Sequence, residues 1–186
     1  MNLDHVLAAA RRLPDIGITH RRTGVSTVGW VPGIERLTET DMPIRLALSL
    51  HAPEDALRSQ IMPVNERYDL QEVLAACEAF YERKRRMVFI EYVMLAGVND
   101  GYAQAVQLAK ILDPKIYKLN LIPYNPTDSI YDGSSRNSIE AFKAALEEHG
   151  LRATVRLTRG RDIDAACGQL AAKAAAPEPA RAAHSA

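Results

Sequence analysis

Residues 87–94 read MVFIEYVM, an almost unbroken apolar run of strand length interrupted by one carboxylate, Glu91. A short run of this kind, rich in β-branched and aromatic side chains, is the pattern of a strand covered on both faces, as in a parallel sheet. Immediately upstream, Leu70, Val73, Leu74, Cys77, Phe80 and Tyr81 recur at the spacing of an amphipathic helix over 70–84, with Asp69 placed to cap it. Further upstream, residues 44–49 (IRLALS) repeat the buried-strand pattern, and 23–29 (TGVSTVG) read as extended, followed by a short helix at 34–37. A helix over 2–13 opens the chain. Downstream, 101–112 is helical and 116–123 (IYKLNLIP) is a third apolar strand. A polar loop over 125–136 holds two turn signals, Asn125-Pro126 and Asp132-Gly133. Asn137 or Ser138 then caps a helix that runs to His149 and is closed by Gly150. Residues 152–157 form a further strand and 163–173 a last helix. Alternation of buried strands with helices is the signature of βαβ units and an α/β fold with a parallel sheet. Spacing alone leaves two architectures open, part of a barrel or a small doubly wound sheet.

The chain has 186 residues, 47% of them hydrophobic and 25% charged, an ordinary composition for one globular domain. Its formal net charge is zero, so bulk charge does not single out a nucleic-acid ligand. The basic run Arg83, Lys84, Arg85 and Arg86 reads first as a solvated helix end and only second as an RNA contact. Two cysteines, Cys77 and Cys167, make no close metal-ligand pair, so no metal site is expected and a reducing cytoplasm is the expected compartment. The amphipathic N-terminus carries Asp4 and does not resemble a secretion signal. No apolar run approaches the ~18–20 residues that span a bilayer, and no membrane partner is expected. Residues 1–171 are expected to form the domain, and 172–186, rich in Ala and Pro, a disordered tail.

In parallel α/β folds the site lies at the C-terminal ends of the strands. The polar residues there are Ser26 and Thr27 after the first strand, then Ser49-Leu50-His51, Asn99-Asp100, and Tyr124-Asn125-Pro126. Each also has a local reading. His51 can cap a turn, the serines can bond nearby backbone, and Asn125 before proline is a common turn residue. Glu91 within an apolar strand requires a buried partner or a polar cavity. Cys77 lies on the apolar stripe of its helix and reads as core. Cys167 follows a basic segment near a predicted helix start, which favours thiolate, whereas Asp162 and Asp164 oppose it; a reactive and an inert reading both stand.

The motifs VSTVGWVPGI (25–34), LALSLHAP (46–53), IEYVMLAGVNDG (90–101), LNLIPYNP (119–126), SSRNSIEAF (134–142) and VRLTRGRDIDAACGQLA (155–171) are similar, in order and spacing, to RlmN/Cfr-type radical S-adenosyl-L-methionine (SAM) RNA methyltransferases. The resemblance covers roughly residues 2–173. It implies a partial (β/α) radical SAM barrel; the count of buried strand runs, with the family's N-terminal part missing, predicts four parallel strands separated by helices and left open. It implies that Ser26, Ser49, Leu50, His51 and Asn125 contact SAM, and that Cys167 is the catalytic methyl carrier. In such enzymes the carrier sulfur is methylated by one SAM, and a second SAM, cleaved at a [4Fe–4S] cluster, drives radical transfer to an adenine ring carbon. A further cysteine releases the product. Adenine C2 is not nucleophilic, so ordinary SAM alkylation fails there and the cofactor must carry the hard step. The implied partners are 23S rRNA and tRNA.

The sequence also departs from that family. It holds neither the CxxxCxxC cluster motif nor the Gly-Glu-Pro motif, and its two cysteines are fewer than the five the full mechanism uses. The expectation is therefore a C-terminal portion of a dual-specificity adenine-C2 methyltransferase, inactive by itself, with the [4Fe–4S] ligands supplied elsewhere, for example by a separately encoded N-terminal half. Alternatives are a Cfr-like adenine-C8 enzyme, a non-catalytic SAM- or RNA-binding fragment, and an unrelated α/β barrel fragment.

Overall fold

The computed structural model describes residues 2–125 and 130–156. Five strands form one sheet: β1 (Gly24–Thr27), β2 (Arg45–Ser49), β3 (Val88–Met94), β4 (Tyr117–Pro123) and β5 (Ala153–Val155). Every neighbouring pair is parallel and the spatial order is the chain order, β1-β2-β3-β4-β5. The sheet has five strands rather than four, because the strand expected over 152–157 forms over Ala153–Val155 and pairs with Leu119–Leu121.

Strictly sequential order decides between the two architectures. Each right-handed crossover returns to the next strand on the same side, so the helices accumulate on one face, as in a barrel wall. The connections are α2 (Val31–Glu39), α3 (Asp55–Ile61) with α4 (Leu70–Lys84), α5 (Tyr102–Ile111) and α6 (Arg136–Glu148); α1 (Leu3–Arg12) precedes the sheet. Leu46 and Leu48, Val88, Ile90, Tyr92 and Met94, and Tyr117, Leu119 and Leu121 form the helix-facing side of the sheet and are buried. Tyr92 stacks on Phe142 of α6 with ring centroids 5.5 Å apart, and Tyr117 donates its hydroxyl to the Leu74 carbonyl of α4 at 3.2 Å.

The other face corrects one expectation. The apolar runs predicted strands buried on both sides, yet Ala47, Ser49, Phe89, Glu91, Val93, Lys118 and Asn120 are only half-buried. No helix among the described residues covers them, which suits the polar side chains that alternate into this face.

Local signals account for most boundaries. Asp69 caps α4 in a reciprocal capping box with Glu72. Ser135, not Asn137 or Ser138, caps α6, its hydroxyl accepting from the Ser138 N–H. Gly150 closes that segment with φ +84°. Helix α3 was not anticipated; its seven residues are too few to display a helical period. The helix expected over 163–173 and the tail at 172–186 lie outside the described residues.

Candidate functional site

Three segments meet where the strands end. Ser49 is the last residue of β2 and pairs in register with Glu91. The next residue, Leu50, is fully buried and donates its N–H to the Glu91 carbonyl at 3.1 Å. His51 follows with φ +62°, a left-handed conformation uncommon for a non-glycine residue. That turn aims the imidazole across the end of β3, where Nδ1 accepts the Val93 N–H at 3.2 Å. Burial, then the nearby Arg58 charge, lowers the His51 pKa to about 4, so the ring is neutral at pH 7. With Nδ1 accepting, Nε2 carries the proton and remains available as a donor.

Two buried polar residues hold this turn: Asn99, which the sequence placed at a strand end, and Arg58, which sequence reasoning did not single out. Asn99, fully buried, donates from Nδ2 to the His51 carbonyl (2.9 Å) and the Val93 carbonyl (2.8 Å), and accepts the Leu95 N–H (2.8 Å). Arg58, also fully buried, donates to the carbonyls of Leu50 (3.2 Å), Val28 (2.7 Å) and Ser49 (3.4 Å), and to Asn65 Oδ1 (2.7 Å). It thereby ties the chain leaving β1 to the chain leaving β2. Gly29 makes room for it: a Cβ there would lie 2.9 Å from Arg58 Nη2, at φ +101°. Both partnerships are tertiary, joining residues up to 48 positions apart, and no local pattern announces them.

On the open face the register aligns Ser49, Glu91, Asn120 and Thr154 in one row. Asn120 donates to Glu91 Oε1 at 2.9 Å and accepts from the Thr154 hydroxyl at 2.6 Å. Glu91 thus has both partners the sequence allowed, a polar neighbour and a half-open face. Ser26 stands one step lower, opposite Ala47, and borders an apolar cavity of about 250 Å³ with Trp30, Val25 and Ile34. Asn125 lies two residues beyond the end of β4. Among the described residues, its buried Oδ1 has no hydrogen-bond partner, and neither has the buried Ser134 Oγ. The segment carrying Ser134 docks on the end of β3 through Ser134 N–H to the Met94 carbonyl (3.3 Å). Ser26, Ser49, Leu50, His51 and Asn125 therefore occupy the same end of the sheet. Cys167 lies outside the described residues.

No protein-family model matches the chain. A probable dual-specificity RNA methyltransferase RlmN from Thermobifida fusca is 46% identical over 180 residues, covering 94% of this chain and 49% of the relative. A second protein of the same name, from Symbiobacterium thermophilum, is 47% identical over 174 residues, 91% of this chain and 47% of the relative. The crystal structure of a radical SAM methyltransferase from Sphaerobacter thermophilus superimposes with a TM-score of 0.78 at 37% identity, over 90% of this chain and 60% of that one. The chain is homologous to part of an RlmN-type radical SAM methyltransferase. It spans about half the length of the curated relatives it matches. A domain of a pyruvate-formate lyase-activating enzyme from Bacteroides vulgatus shares the fold, with a TM-score of 0.63 at 17% identity.

The two groups that the RlmN-type resemblance implies fit differently. A SAM molecule carries an ammonium, an exocyclic adenine amine, ribose hydroxyls and a carboxylate. The strand ends offer complementary groups: the Asn125 oxygen, which has no partner among the described residues, as acceptor, serine hydroxyls of either sense, and the His51 Nε2–H as donor. A [4Fe–4S] cluster does not fit the residues present. The chain has two cysteines, and Cys77, fully buried on α4, has its thiol pushed up to about 12 by burial, then by Glu78. Among the described residues no group of three His, Cys, Asp or Glu could hold a metal ion.

Proposed function

We propose that this chain carries the SAM-binding rim and the methyl-accepting cysteine of an adenine-C2 methyltransferase acting on 23S rRNA and tRNA in the cytoplasm. One observation carries the reading: Ser26, Ser49, His51 and Asn125 share the C-terminal end of a parallel sheet, with a buried Asn125 oxygen that finds no partner among the described residues. The relatives' names supply the dual RNA specificity. In the described residues no helix is long and apolar enough to cross a membrane.

The residues divide the work simply. The Asn125 oxygen accepts from a SAM amine, and the Ser26 and Ser49 hydroxyls orient its ribose or amino-acid portion. Neutral His51 donates from Nε2 without placing a second positive charge beside the sulfonium. When bound, SAM would supply an electrophilic methyl group, and Cys167, as thiolate, would be the residue that accepts it. The cluster would supply the one-electron chemistry of the later steps, with ligands this chain does not contain.

The test joins the chain to the remaining half of the Thermobifida fusca relative and assays 23S rRNA and tRNA, with mass analysis of the modified nucleosides. Methylation at adenine C2, lost in Cys167→Ala, is the expected result. Product at C8 would assign the Cfr-type reaction instead. A second reading, a non-catalytic SAM-binding fragment, is favoured for the lone chain by its two cysteines. It predicts SAM binding in equilibrium dialysis, weakened in His51→Ala and Asn125→Ala, without RNA methylation.

A further inference from the structure

The opposite end of the sheet carries a feature that the SAM rim does not use. A basin of about 550 Å³ opens beside the starts of β2 and β3, and its lining includes Arg21, Arg45, Lys84, Arg85, Arg86 and Phe89. The four ion pairs among the described residues involve Arg11, Arg12, Arg36 and Lys143, so no carboxylate is paired with any of these five cations. Their hydrogen bonds go to backbone instead: Lys84 Nζ to the Thr40 carbonyl, and Arg86 Nη2 to the Arg21 carbonyl at 3.3 Å. The Arg45 guanidinium rests over the Phe89 ring, 5.7 Å from its centroid, which holds the fork in place. The cations oppose one another. Burial, then Arg45 and Arg21, lowers the pKa of Arg86; burial, then Arg83, lowers that of Lys84 against a smaller pull from Asp41.

A solvated helix end does not explain this cluster. The C-terminal dipole of α4 favours Lys84, but Arg21 and Arg45 come from other parts of the chain and gain nothing from it. Arg85 is the clearest sign. It occupies the C-cap of α4 at φ +54°, where glycine is the unstrained residue, and its exposed side chain makes no ion pair that would offset the strain. A strained backbone position that keeps a charged side chain at the lip of a basic basin points to a ligand.

We propose that this basin binds the phosphodiester backbone of RNA, giving the chain a nucleic-acid contact at the far end of the sheet from the SAM rim. The choice of RNA rests on the methyltransferase reading. The choice of a polyanion rests on the basin itself, because five cations spread along one opening exceed what a single small anion engages. Arginine forks grip phosphate oxygens in pairs, and such contacts position a nucleic acid without reading its sequence.

The experiment uses the full chain and a fluorescein-labelled RNA hairpin, with anisotropy titrations between about 50 and 200 mM KCl. Arg85→Gly is the central variant, since it removes a charge while relieving the backbone. We expect its thermal midpoint to hold or rise while its Kd for RNA rises about threefold. With Arg45→Gln added, Kd should rise tenfold or more, and the slope of log Kd against log salt should fall by roughly 1–2, near 0.7–0.9 per lost phosphate contact. Arg136→Gln, an equal charge change at the start of α6, should leave Kd within about twofold. Unchanged RNA binding in the double variant overturns the proposal, as does an equal loss from Arg136→Gln. Full displacement of RNA by inorganic phosphate would assign a small-anion site instead, and basin-dependent binding only to phosphatidylglycerol vesicles would assign a membrane surface. SAM binding to the unsubstituted chain is measured alongside. Its failure would remove the rim reading and leave the RNA result standing.

Discussion

The side-chain amide of Asn99 holds the carbonyl of His51 at 2.9 Å, joining the turn after β2 to the loop after β3. The same amide holds Val93, and its oxygen holds the Leu95 N–H, so one buried residue satisfies three backbone groups. Asn99→Ala leaves all three without that partner, the Leu95 N–H in a buried position. We expect a loss of about 2–4 kcal/mol in urea denaturation. The same variant should bind SAM more weakly, because the His51 ring loses its support. A stability change under 1 kcal/mol, or about that, would show that the clamp is dispensable.

Arg58 should be equally sensitive, for a different reason. It is a fully buried cation whose partners are carbonyls and one amide rather than a carboxylate. Arg58→Met keeps the volume and removes every donor, and should cost about 3 kcal/mol. Gly29→Ala attacks the same contact from the other side, adding a methyl 2.9 Å from Nη2 at an unfavourable φ. A loss of about 2 kcal/mol is expected there. Differential scanning calorimetry reads both, and a Gly29→Ala chain as stable as its parent would contradict the packing described.

His51 makes a pH prediction with a definite sign. In the unfolded chain it takes a proton near pH 6.5, in the fold only near about 4. Between those values the unfolded state binds more protons. The contribution is therefore fully present above pH 6.5 and is lost as pH falls toward 4, by at most about 3 kcal/mol, less what solvent reaches a half-buried ring. His51→Asn tolerates the left-handed turn and cannot titrate. Urea midpoints from pH 7.5 down to about 5 should fall less steeply in that variant than in the parent; identical slopes would assign the acid sensitivity to other groups.

The two cysteines should separate cleanly. Cys77 is fully buried with its thiol raised to about 12, so iodoacetamide should not reach it in the native chain. If Cys167 is the methyl carrier proposed, it must reach both a SAM methyl group and a base, and it should be the thiol labelled first. Peptide mapping after native alkylation tests this, with Cys167→Ser expected to abolish native labelling. Prior modification of Cys77 would contradict the core assignment.

Much of the fold was legible because its signals are local. The helix over 70–84 and its Asp69 cap follow from side-chain spacing and one capping residue, and they appear as expected. Strand positions were legible for the same reason, but their burial was not. A run such as MVFIEYVM looks alike whether one or both faces are covered, and only the packing shows that the described helices leave one face uncovered. At the rim, Ser49 and His51 were visible as polar residues at a strand end. Asn99 was visible there too, but not the clamp it forms, since its partners lie across loops; Arg58 was not, because a lone Arg on a seven-residue helix looks like any surface charge.

The sheet has consequences for how the molecule behaves among copies of itself. Among the described residues, β1 and β5 each pair on one side only, so two edges present free N–H and C=O groups. At four and three residues these edges are short, which limits how much extended chain they can capture. Beside β1, however, the apolar cavity lined by Val25, Trp30 and Leu3 adds a greasy surface to the unpaired backbone. That combination favours concentration-dependent self-association at β1, and it makes this margin, more than the basic end, the place to introduce a lysine or proline when a well-behaved solution is wanted.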